Sequence, residues 1–267
     1  MKRILSILLL LLLFVELLPG AALGEEVALG EEVALSGNCG KKLSWSFDES
    51  SGLLRVEGKG KMTDYEESEE GTTAPWAGLP IQRVELASGV TSIGKYAFAS
   101  CSLEEVEIPD TVTEIGKFAF FSCSELKSVS IPANVNSIGK AAFSDCQSMT
   151  AIEVDSHNNV FRSIDGVLFS RDRYKLLNYP AGHGKSYSIP SGVYNIRSYA
   201  FYGSTELSRV DIPVSVVSIG AGAFAYCKNL LDVYYAGSRA QWKRIEMETD
   251  EFIGYDALLN AAVYHAH

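Results

Sequence analysis

The sequence predicts a mainly β solenoid, built from short strands and short helical turns and capped at both ends. The first observation is a repeat: segments 103–123, 126–146 and 207–227 carry the same residue types at the same offsets. A unit of this length cannot enclose a hydrophobic core alone, so its copies must stack on one another. The second observation is that the segments flanking the repeats follow other patterns, as the end units of a solenoid require.

A leader precedes these repeats. Lys2 and Arg3 stand before an apolar run at 4–18, and small residues lead up to Gly24. This order predicts a secretory signal peptide over 1–24 that is removed after Gly24. The alternative is a retained membrane anchor, but the run is shorter than the roughly 20 residues that span a bilayer. We expect a mature protein that is secreted, extracellular or associated with the cell surface, with no membrane insertion after signal cleavage.

The charge balance restricts the partners. The formal net charge is −10, and removal of two cations and one glutamate with the leader changes it to −11. Such an acidic chain is not expected to bind nucleic acid, anionic lipid surfaces or heparin-like ligands through its overall charge. Residues 25–41 follow the leader and contain most of two consecutive copies of the acidic sequence GEEVAL. This composition predicts a disordered spacer, with an acidic tether as the alternative.

Residues 42–80 predict an N-terminal β-hairpin cap. Leu43, Trp45 and Phe47 alternate with polar residues, a DESSG turn follows, and apolar residues alternate again up to Gly58. The first unit of a solenoid has an apolar face that must be covered, and the hairpin together with Trp76 suits this role. The alternative is a carbohydrate site built from these tryptophans.

Residues 81–230 predict the repeats. In each copy two apolar residues two positions apart, such as Val106 and Ile108, predict a short strand with alternate side chains facing inward. In most copies a proline then ends the strand, because proline cannot donate to a ladder. The last inward residues are 22, 23, 23, 35, 23 and 22 positions apart, so one repeat contains an insertion. They are Leu86, Ile108, Ile131, Val154, Ile189, Ile212 and Tyr234.

The turns of the repeats carry two further signals. A glycine recurs where a positive φ or a close backbone approach would favour it, although Arg197 takes that position once. An Ala-Phe pair then follows in five copies, and a small residue beside a large one predicts a buried packing column. The glycines are Gly94, Gly116, Gly139 and Gly220, and the phenylalanines are Phe98, Phe120, Phe143, Phe201 and Phe224.

A cysteine stands three residues after most of these phenylalanines. Successive strands lie about 4.8 Å apart, which exceeds the roughly 3.8 Å between Cβ atoms of a disulfide. The spacing therefore predicts a column of small buried thiols, with a Cys101–Cys123 or Cys123–Cys146 disulfide as the alternative. The residues at this position are Cys101, Cys123, Cys146, Ser204 and Cys227.

The irregular repeat covers about 154–185 and predicts a hairpin that interrupts the stack. Asp155, Asn158, Asn159 and Asp165 could suggest a calcium site, but they lack the order of a calcium-binding loop, so roles in turns are favoured. Residues 231–267 predict the C-terminal cap. There Ser238 and Gln241 form a capping box before a helix with Trp242 and Ile245, and the last residues predict a strand or a helix.

The repeat L-x-x-V-x-I-P-x-x-V-x-x-I-G-x-x-A-F-x-x-C resembles the BspA-like bacterial cell-surface leucine-rich repeat family. The resemblance covers the chain from about Leu43 to its C-terminus, including the lead-in SWSFDESSGLLRVEGKGKMTDY and the ending VYYAGSRAQWKRI. It implies a leucine-rich-repeat solenoid that is exported and attaches to matrix proteins, microbes or mucosal surfaces. It implies no catalytic residues, and no cofactor or metal is expected.

The expected function is binding through the strand residues that face outward. Such a surface on a repeat protein can bind an extracellular protein or glycan over a wide area. Its first half is rich in acidic residues, so a protein partner is expected to present basic groups there. The candidate ligand face comprises Arg83, Glu85, Glu105, Glu107, Ser128, Ser130, Glu153, Ser188, Arg209, Asp211 and Asp232.

Two alternatives differ from this binding function. The first is a structural, self-associating component of a secreted or envelope assembly. The second is a hydrolase, which is disfavoured because the sequence contains no HExxH, no G-x-S-x-G and no glycine-rich phosphate loop. We therefore expect that the protein is not an enzyme.

Overall fold

The computed structural model describes residues 35–248, 257–259 and 261–265. The predicted signal peptide and residues 25–34 of the predicted spacer lie outside the described residues. Within the described chain the structure is mainly β, with strands joined by hydrogen-bonded turns. No helix in the described part is long and apolar enough to cross a membrane.

The described chain begins with three antiparallel strands, β1 (Leu35–Gly40), β2 (Leu43–Asp48) and β3 (Leu53–Gly58). β2 and β3 form the hairpin that the alternating residues predict, with Trp45 opposite Val56. The prediction of a disordered spacer is wrong for residues 35–40, because these residues form β1 and pair with β2. Cys39 holds this strand in place, because it is buried at 1 % exposure and its carbonyl accepts the Thr63 N–H at 2.7 Å.

The first strands of the repeats, here called the front strands, pair in parallel. Arg83 lies opposite Glu105, and Arg209 lies opposite Asp232, so corresponding residues of successive repeats are neighbours. The front strands fall into three sheets, and β3 joins the first of them. They are β5 (Arg83–Leu86), β7 (Glu105–Glu107), β9 (Ser128–Ile131), β11 (Ala151–Val154), β15 (Ser186–Ser188), β17 (Arg209–Ile212), β19 (Asp232–Tyr235) and β21 (Ala262–His265).

The second strands of the repeats, here called the back strands, are mostly two residues long. They too pair in parallel, for example Ile93 with Ile115 and Ile196 with Ile219. The series is interrupted after Ile138, before the strands that follow the insertion. The back strands are β4 (Gly60–Lys61), β6 (Val90–Ile93), β8 (Glu114–Ile115), β10 (Ser137–Ile138), β16 (Asn195–Ile196), β18 (Ser218–Ile219) and β20 (Glu246–Met247).

The insertion consists of three antiparallel strands, β12 (Phe161–Ile164), β13 (Val167–Ser170) and β14 (Lys175–Asn178). β14 then pairs in parallel with β16, so the inserted strands continue into the later back strands. This arrangement confirms a hairpin in the irregular repeat. It also divides the core into two clusters, with Leu168 in the first and its neighbours Val167 and Phe169 in the second.

The turns after the back strands are not helical, which corrects the expectation of short helical turns. Tyr96 and Ser100 have φ angles of 53° and 59°, in the left-handed region that interrupts an α-helix. In the turns after β6, β8 and β16 every second N–H donates to the next repeat instead, as Phe98 does to the Ala119 carbonyl at 2.7 Å. The stacking of repeats therefore satisfies the backbone groups that a helix would satisfy internally.

The phenylalanines of these turns form the buried column that their spacing predicts. The rings of Phe98 and Phe120 stack at 5.3 Å, and those of Phe120 and Phe143 at 5.4 Å. After the insertion Tyr179 stacks on Phe201, which stacks on Phe224 at 4.6 Å. Each of the five phenylalanines of the Ala-Phe pairs is 0 % exposed.

The recurrent glycines are explained by close packing and not by a positive φ. A Cβ at Gly116 would lie 2.5 Å from the backbone nitrogen of Lys95, well inside van der Waals contact. Arg197 occupies the same position in the repeat whose back strand, β16, pairs with β14 of the insertion. Its side chain crosses the interruption and donates from Nη1 to the Ile138 carbonyl at 3.0 Å.

The end of the chain contains α1 (Arg239–Trp242), a 3-10 turn (Ala257–Leu259) and β21. The predicted capping box is confirmed, since Ser238 Oγ accepts the Gln241 N–H and Gln241 Oε1 accepts the Ser238 N–H. The helix is a single turn that ends at Trp242, so Ile245 lies beyond it. β21 pairs in parallel with β19, which confirms a strand in the last residues.

Candidate ligand-binding face

The outward side chains of the front strands form a surface that we call the front face. In β5, Arg83 and Glu85 are exposed whereas Val84 and Leu86 are buried, and β9 and β17 alternate in the same way. This follows from the two-residue period of a strand, with one side packed on the core. The eleven candidate residues therefore all belong to one set of outward positions. The sheet pairing is interrupted between β7 and β9 and again at the insertion, between Glu153 and Ser188, so the face has an N-terminal part, a middle and a C-terminal part.

The N-terminal part of the front face is dominated by charge. Glu85 lies beside Glu107 in the parallel register, and Arg83 lies beside Glu105. Arg55 of β3 is the register partner of Glu85 and forms an ion pair with it at 3.0 Å. Both partners of this pair are exposed, so water and salt screen it.

The middle of the front face is polar and carries few charges. Ser128 lies beside Ala151, and Ser130 lies beside Glu153 in the pairing of β9 with β11. Ser128, Ser130 and Glu153 are all exposed. A ligand would therefore meet hydroxyl groups and one carboxylate on β9 and β11, whereas on β5 and β7 it would meet carboxylates and Arg83.

The C-terminal part contains a connected group of side chains. Asp211 accepts hydrogen bonds from Ser188 Oγ at 2.8 Å and from Arg209 Nε at 2.9 Å. The Asp211 carboxylate raises the pKa of Arg209, first through this hydrogen bond. Asp232 lies beside Arg209 in the register. The structure thus brings together the last four candidates, Ser188, Arg209, Asp211 and Asp232.

Two tyrosines complete this group, and the sequence reasoning missed both. The prediction that Tyr234 is the last inward residue of its strand is wrong. Asp211 pairs with Tyr234 and Ile212 with Tyr235, so Tyr234 faces outward and Tyr235 is buried at 3 % exposure. The prediction failed because either of two adjacent tyrosines can face the core. The last inward residues of most neighbouring repeats are 23 positions apart, and this spacing, counted from Ile212, would have selected Tyr235.

The outward tyrosines form a stack with Arg209. The guanidinium carbon of Arg209 lies 3.9 Å from the ring centroid of Tyr234, which is a cation–π contact. On β21 the ring of Tyr264 stacks on Tyr234, with centroids 4.6 Å apart and planes within 16°. Tyr264 is still 46 % exposed, and the Asp232 carboxylate raises its pKa.

An open cleft of about 470 Å³ adjoins this stack. Buried side chains, among them Ile189 and Ile212, form its apolar part, and Arg209, Asp211 and Tyr264 contribute polar groups. A cleft of this size, apolar with a few polar groups at defined positions, is typical of small-molecule and side-chain recognition. The C-terminal part of the front face is therefore a candidate binding site.

The repeats also match a known family profile. The profile of the BspA type leucine rich repeat region matches residues 76–183 and 182–244, in six copies. These residues include all the front strands from β5 to β19. The chain belongs to the BspA-type leucine-rich repeat family.

Solved structures of leucine-rich repeat proteins are similar in fold to this BspA-type chain. The pneumococcal vaccine antigen PcpA is 19% identical over 76% of this chain and 70% of that one, with a TM-score of 0.51. A leucine rich cell surface protein of Faecalibacterium prausnitzii is 18% identical over 82% and 99%, with a TM-score of 0.47. A leucine-rich repeat protein of Eubacterium ventriosum is 20% identical over 88% and 85%, with a TM-score of 0.43. No curated protein matches the sequence.

Trp45 and Trp76 of this BspA-type chain do not form a carbohydrate site. Trp76 is 0 % exposed and Trp45 is 7 % exposed, so neither ring is available to stack on a sugar. Their rings contact each other at 5.6 Å, and Trp76 stacks on Phe98. They therefore belong to the core beside the first repeat.

Cys101, Cys123, Cys146 and Cys227 are free and buried, as the predicted column of thiols requires and unlike the disulfide alternative, and Cys39 is also free and buried. Cys123, Cys146 and Cys227 each donate to the carbonyl of a phenylalanine of the preceding repeat, at 3.0–3.1 Å. Burial raises the pKa of Cys101 and of Cys146 to about 12. The neutral thiol is therefore the favoured form, and the thiolate needed for nucleophilic attack is disfavoured.

Asn158, one of the four residues that could suggest calcium binding, instead fixes the start of the insertion through hydrogen bonds. Asn158 is 0 % exposed, and its Nδ2 donates to the carbonyls of Pro132 and Val135. Its Oδ1 accepts the N–H groups of Val160 and Phe161. Among the described residues, no group of three or more His, Cys, Asp or Glu could hold a metal ion. Asn158 therefore fixes the loop against the preceding repeat, as the turn interpretation predicts.

Proposed function

We propose that the chain is an exported leucine-rich-repeat solenoid, capped at both ends, that binds an extracellular protein or glycan in the manner of an adhesin. The observation that carries this proposal is the contrast between the two sides of the front strands. Inward positions repeat the same apolar residues, whereas outward positions change from Glu107 to Ser130 to Asp211 to Tyr234. Repeat proteins bind through exposed surfaces of this kind. Membership of the family also supports a protein-binding role.

Parallel pairing between successive repeats supports the solenoid. The register steps are 22 residues from Arg83 to Glu105 and 23 from Ser128 to Ala151, as stacked coils of one repeat length require. At the N-terminal end Trp76 covers Phe98, which supports a cap formed by residues 42–80. At the other end β21 extends the last front sheet, which supports a cap within residues 231–267.

Export rests on the leader at residues 1–24, and we propose a secreted or cell-surface location from it. Binding is favoured over catalysis because the described thiols are poorly suited to act as nucleophiles and three of the carboxyl groups are poorly suited to act as general acids. The thiols are buried with raised pKa values, and Asp48, Asp155 and Asp172 have lowered pKa values because hydrogen bonds stabilise their carboxylates. A general acid at neutral pH would need a raised pKa.

Binding to arrays tests the proposed function. Purified chain is applied to arrays of extracellular-matrix proteins and of glycans, with a variant that replaces Glu107, Arg209 and Tyr234 by alanine as the control. We expect binding at micromolar concentrations to at least one ligand, and loss of that binding in the control. Absence of binding to both arrays at these concentrations, or equal binding by the control, contradicts the proposal.

The second candidate is a structural component that associates with copies of itself. It is favoured by the position of β1 and β21, which are the terminal strands of their sheets among the described residues. A terminal strand can pair with a strand of another molecule. Light scattering over a range of concentrations distinguishes this candidate: growth of the mass with concentration supports it, and a constant monomer mass contradicts it.

A further inference from the structure

We propose that the Arg209–Tyr234–Tyr264 stack and the adjoining cleft form a site for a neutral saccharide. This inference rests on the proposed function and names the ligand class and its place on the front face. The site lies at the C-terminal part of that face, where β17, β19 and β21 pair in register.

The aromatic rings provide the first argument. Saccharides offer C–H faces that pack on aromatic rings, and tyrosine combines an apolar body with a polar tip. Tyr264 is 46 % exposed, although Tyr234 stacks on it. The equivalent outward positions in the N-terminal part carry Glu85, Glu107 and Ser130, so the rings distinguish this end of the face.

The hydrogen-bonding groups provide the second argument. Asp211 accepts one hydrogen bond on each oxygen, from Arg209 and from Ser188, and each carboxylate oxygen can accept another. The Arg209 guanidinium carries five N–H donors, of which Nε–H binds Asp211. An acceptor and a donor side by side match a sugar hydroxyl, which donates one hydrogen bond and accepts another.

Charge decides between neutral and anionic saccharides. The guanidinium of Arg209 is paired with Asp211, and Asp232 adds a second carboxylate beside it. One cation against two carboxylates disfavours sialylated, sulfated or phosphorylated ligands. The cleft of about 470 Å³ lies within the range of small-molecule sites and has an apolar part for the C–H groups of a sugar ring.

The preorganised side chains add to the argument. Arg209 is held by Asp211 and by the face of Tyr234, and Tyr234 is held between Arg209 and Tyr264. Side chains that are already fixed lose little conformational freedom when a ligand binds. Tyrosine and arginine are also among the residue types that contribute most to binding energy at protein–protein interfaces.

Saturation-transfer difference NMR tests the proposal. The purified chain is mixed with mannotriose, chitotriose, lactose or sialyllactose at millimolar concentration. The variants are Tyr264→Ala and Asp211→Asn, and the control is Glu114→Ala, which changes an exposed residue of the back strand β8, outside the front face. A thermal unfolding curve for each variant shows whether it is folded.

We expect a signal from at least one neutral saccharide, reduced at least tenfold in both folded variants and unchanged in the control. A stronger signal from sialyllactose than from every neutral sugar overturns the choice of neutral ligands. A neutral-sugar signal that survives in both variants overturns the location.

The array experiment separates this inference from the proposed function. If no saccharide binds while the chain binds a matrix protein, the saccharide site is wrong and the proposed function stands. If neither saccharide nor protein binds, both are wrong.

Discussion

The indole N–H of Trp76 donates to the carbonyl of Ala97 at 2.7 Å. One repeat later the corresponding carbonyl, that of Ala119, accepts the backbone N–H of Phe98 at the same distance. The Trp76 side chain thus supplies the hydrogen bond that the backbone of a preceding repeat would supply. Its ring extends the phenylalanine column, with its centroid 5.6 Å from that of Phe98. Trp76 therefore satisfies both the hydrogen bonding and the packing of the first repeat.

Substitution of Trp76 separates these two contributions. We expect Trp76→Ala to lower the free energy of unfolding by about 3–5 kcal/mol, because a fully buried ring is lost. Trp76→Phe keeps a ring but removes the donor to Ala97, and we expect a loss of about 1–3 kcal/mol. Urea unfolding measures both, with the partly buried Trp242→Phe as the control. A Trp76→Phe variant as stable as the native chain would show that the hydrogen bond contributes nothing.

Close packing of the turns is tested at Gly139. A Cβ there would overlap the backbone of Lys117 in the preceding repeat. Overpacking of this kind costs about 1–3 kcal/mol, so we expect Gly139→Ala to unfold at lower urea concentration. The matched control is Gly184→Ala, because nothing lies within 4 Å of a Cβ at Gly184. Equal stability of the two variants would contradict the explanation of the glycines.

Stability above pH 9 depends on the buried thiols. The ordinary pKa of a thiol is 9.0, and burial raises the pKa of Cys146 to about 12 in the folded chain. Above pH 9 the unfolded chain therefore loses protons that the folded chain retains, so the free energy of unfolding falls as pH rises. One such thiol contributes up to about 1.4 kcal/mol per pH unit in this window.

Urea unfolding at pH about 8 and about 10 measures this effect. We expect stability to fall between the two pH values, and the fall to be smaller in Cys146→Ala. The comparison with Cys146→Ala is needed because buried tyrosines also make stability fall as pH rises. Burial raises the pKa of Tyr96, for example, to about 12. An identical fall in both proteins would show that this thiol ionises equally in the folded and unfolded chains.

Ser204 and Ser144 form a matched pair of buried serines. Ser204 occupies the cysteine position after the insertion, and its Oγ has no hydrogen-bond partner among the described residues. Ser144 Oγ donates to the Tyr199 carbonyl at 2.9 Å, across the interruption. A buried hydroxyl without a partner is unfavourable, so we expect Ser204→Ala to be neutral or stabilising.

The same substitution at Ser144 is expected to cost about 0.5–1.5 kcal/mol, because it removes a hydrogen bond. Thermal unfolding of both variants measures the difference. If Ser204→Ala lowers the melting temperature more than Ser144→Ala, the assignment of the two hydroxyls is wrong.

The inward half of the fold could be predicted from the sequence because it repeats. Phe120 and Cys123 recur at fixed offsets, and residues that must fill the same space in stacked units are constrained to the same types. The hairpin insertion could be located from the longer step between Val154 and Ile189. Its connections could not, because Asn158 and Arg197 act through hydrogen bonds to residues that are distant in sequence.

The candidate face could be predicted only in part. Alternation along the strands placed Arg209 and Asp211 on the outside, but Tyr234 was assigned inward because either tyrosine of the pair is apolar enough for the core. Tyr264 lies in a strand without the repeat pattern, so no spacing indicated its stack on Tyr234. The geometry of the turns could not be predicted from the sequence either, because Tyr96 adopts a positive φ that its residue type does not favour.

The most direct test of the central claim is the footprint of a ligand from the arrays, measured by hydrogen–deuterium exchange. The account predicts that the ligand protects peptides from β15, β17, β19 and β21 and leaves the turns around Phe118 and Tyr202 unchanged. Protection of those turns, with no change in the front strands, would contradict the claim that the front face binds the ligand.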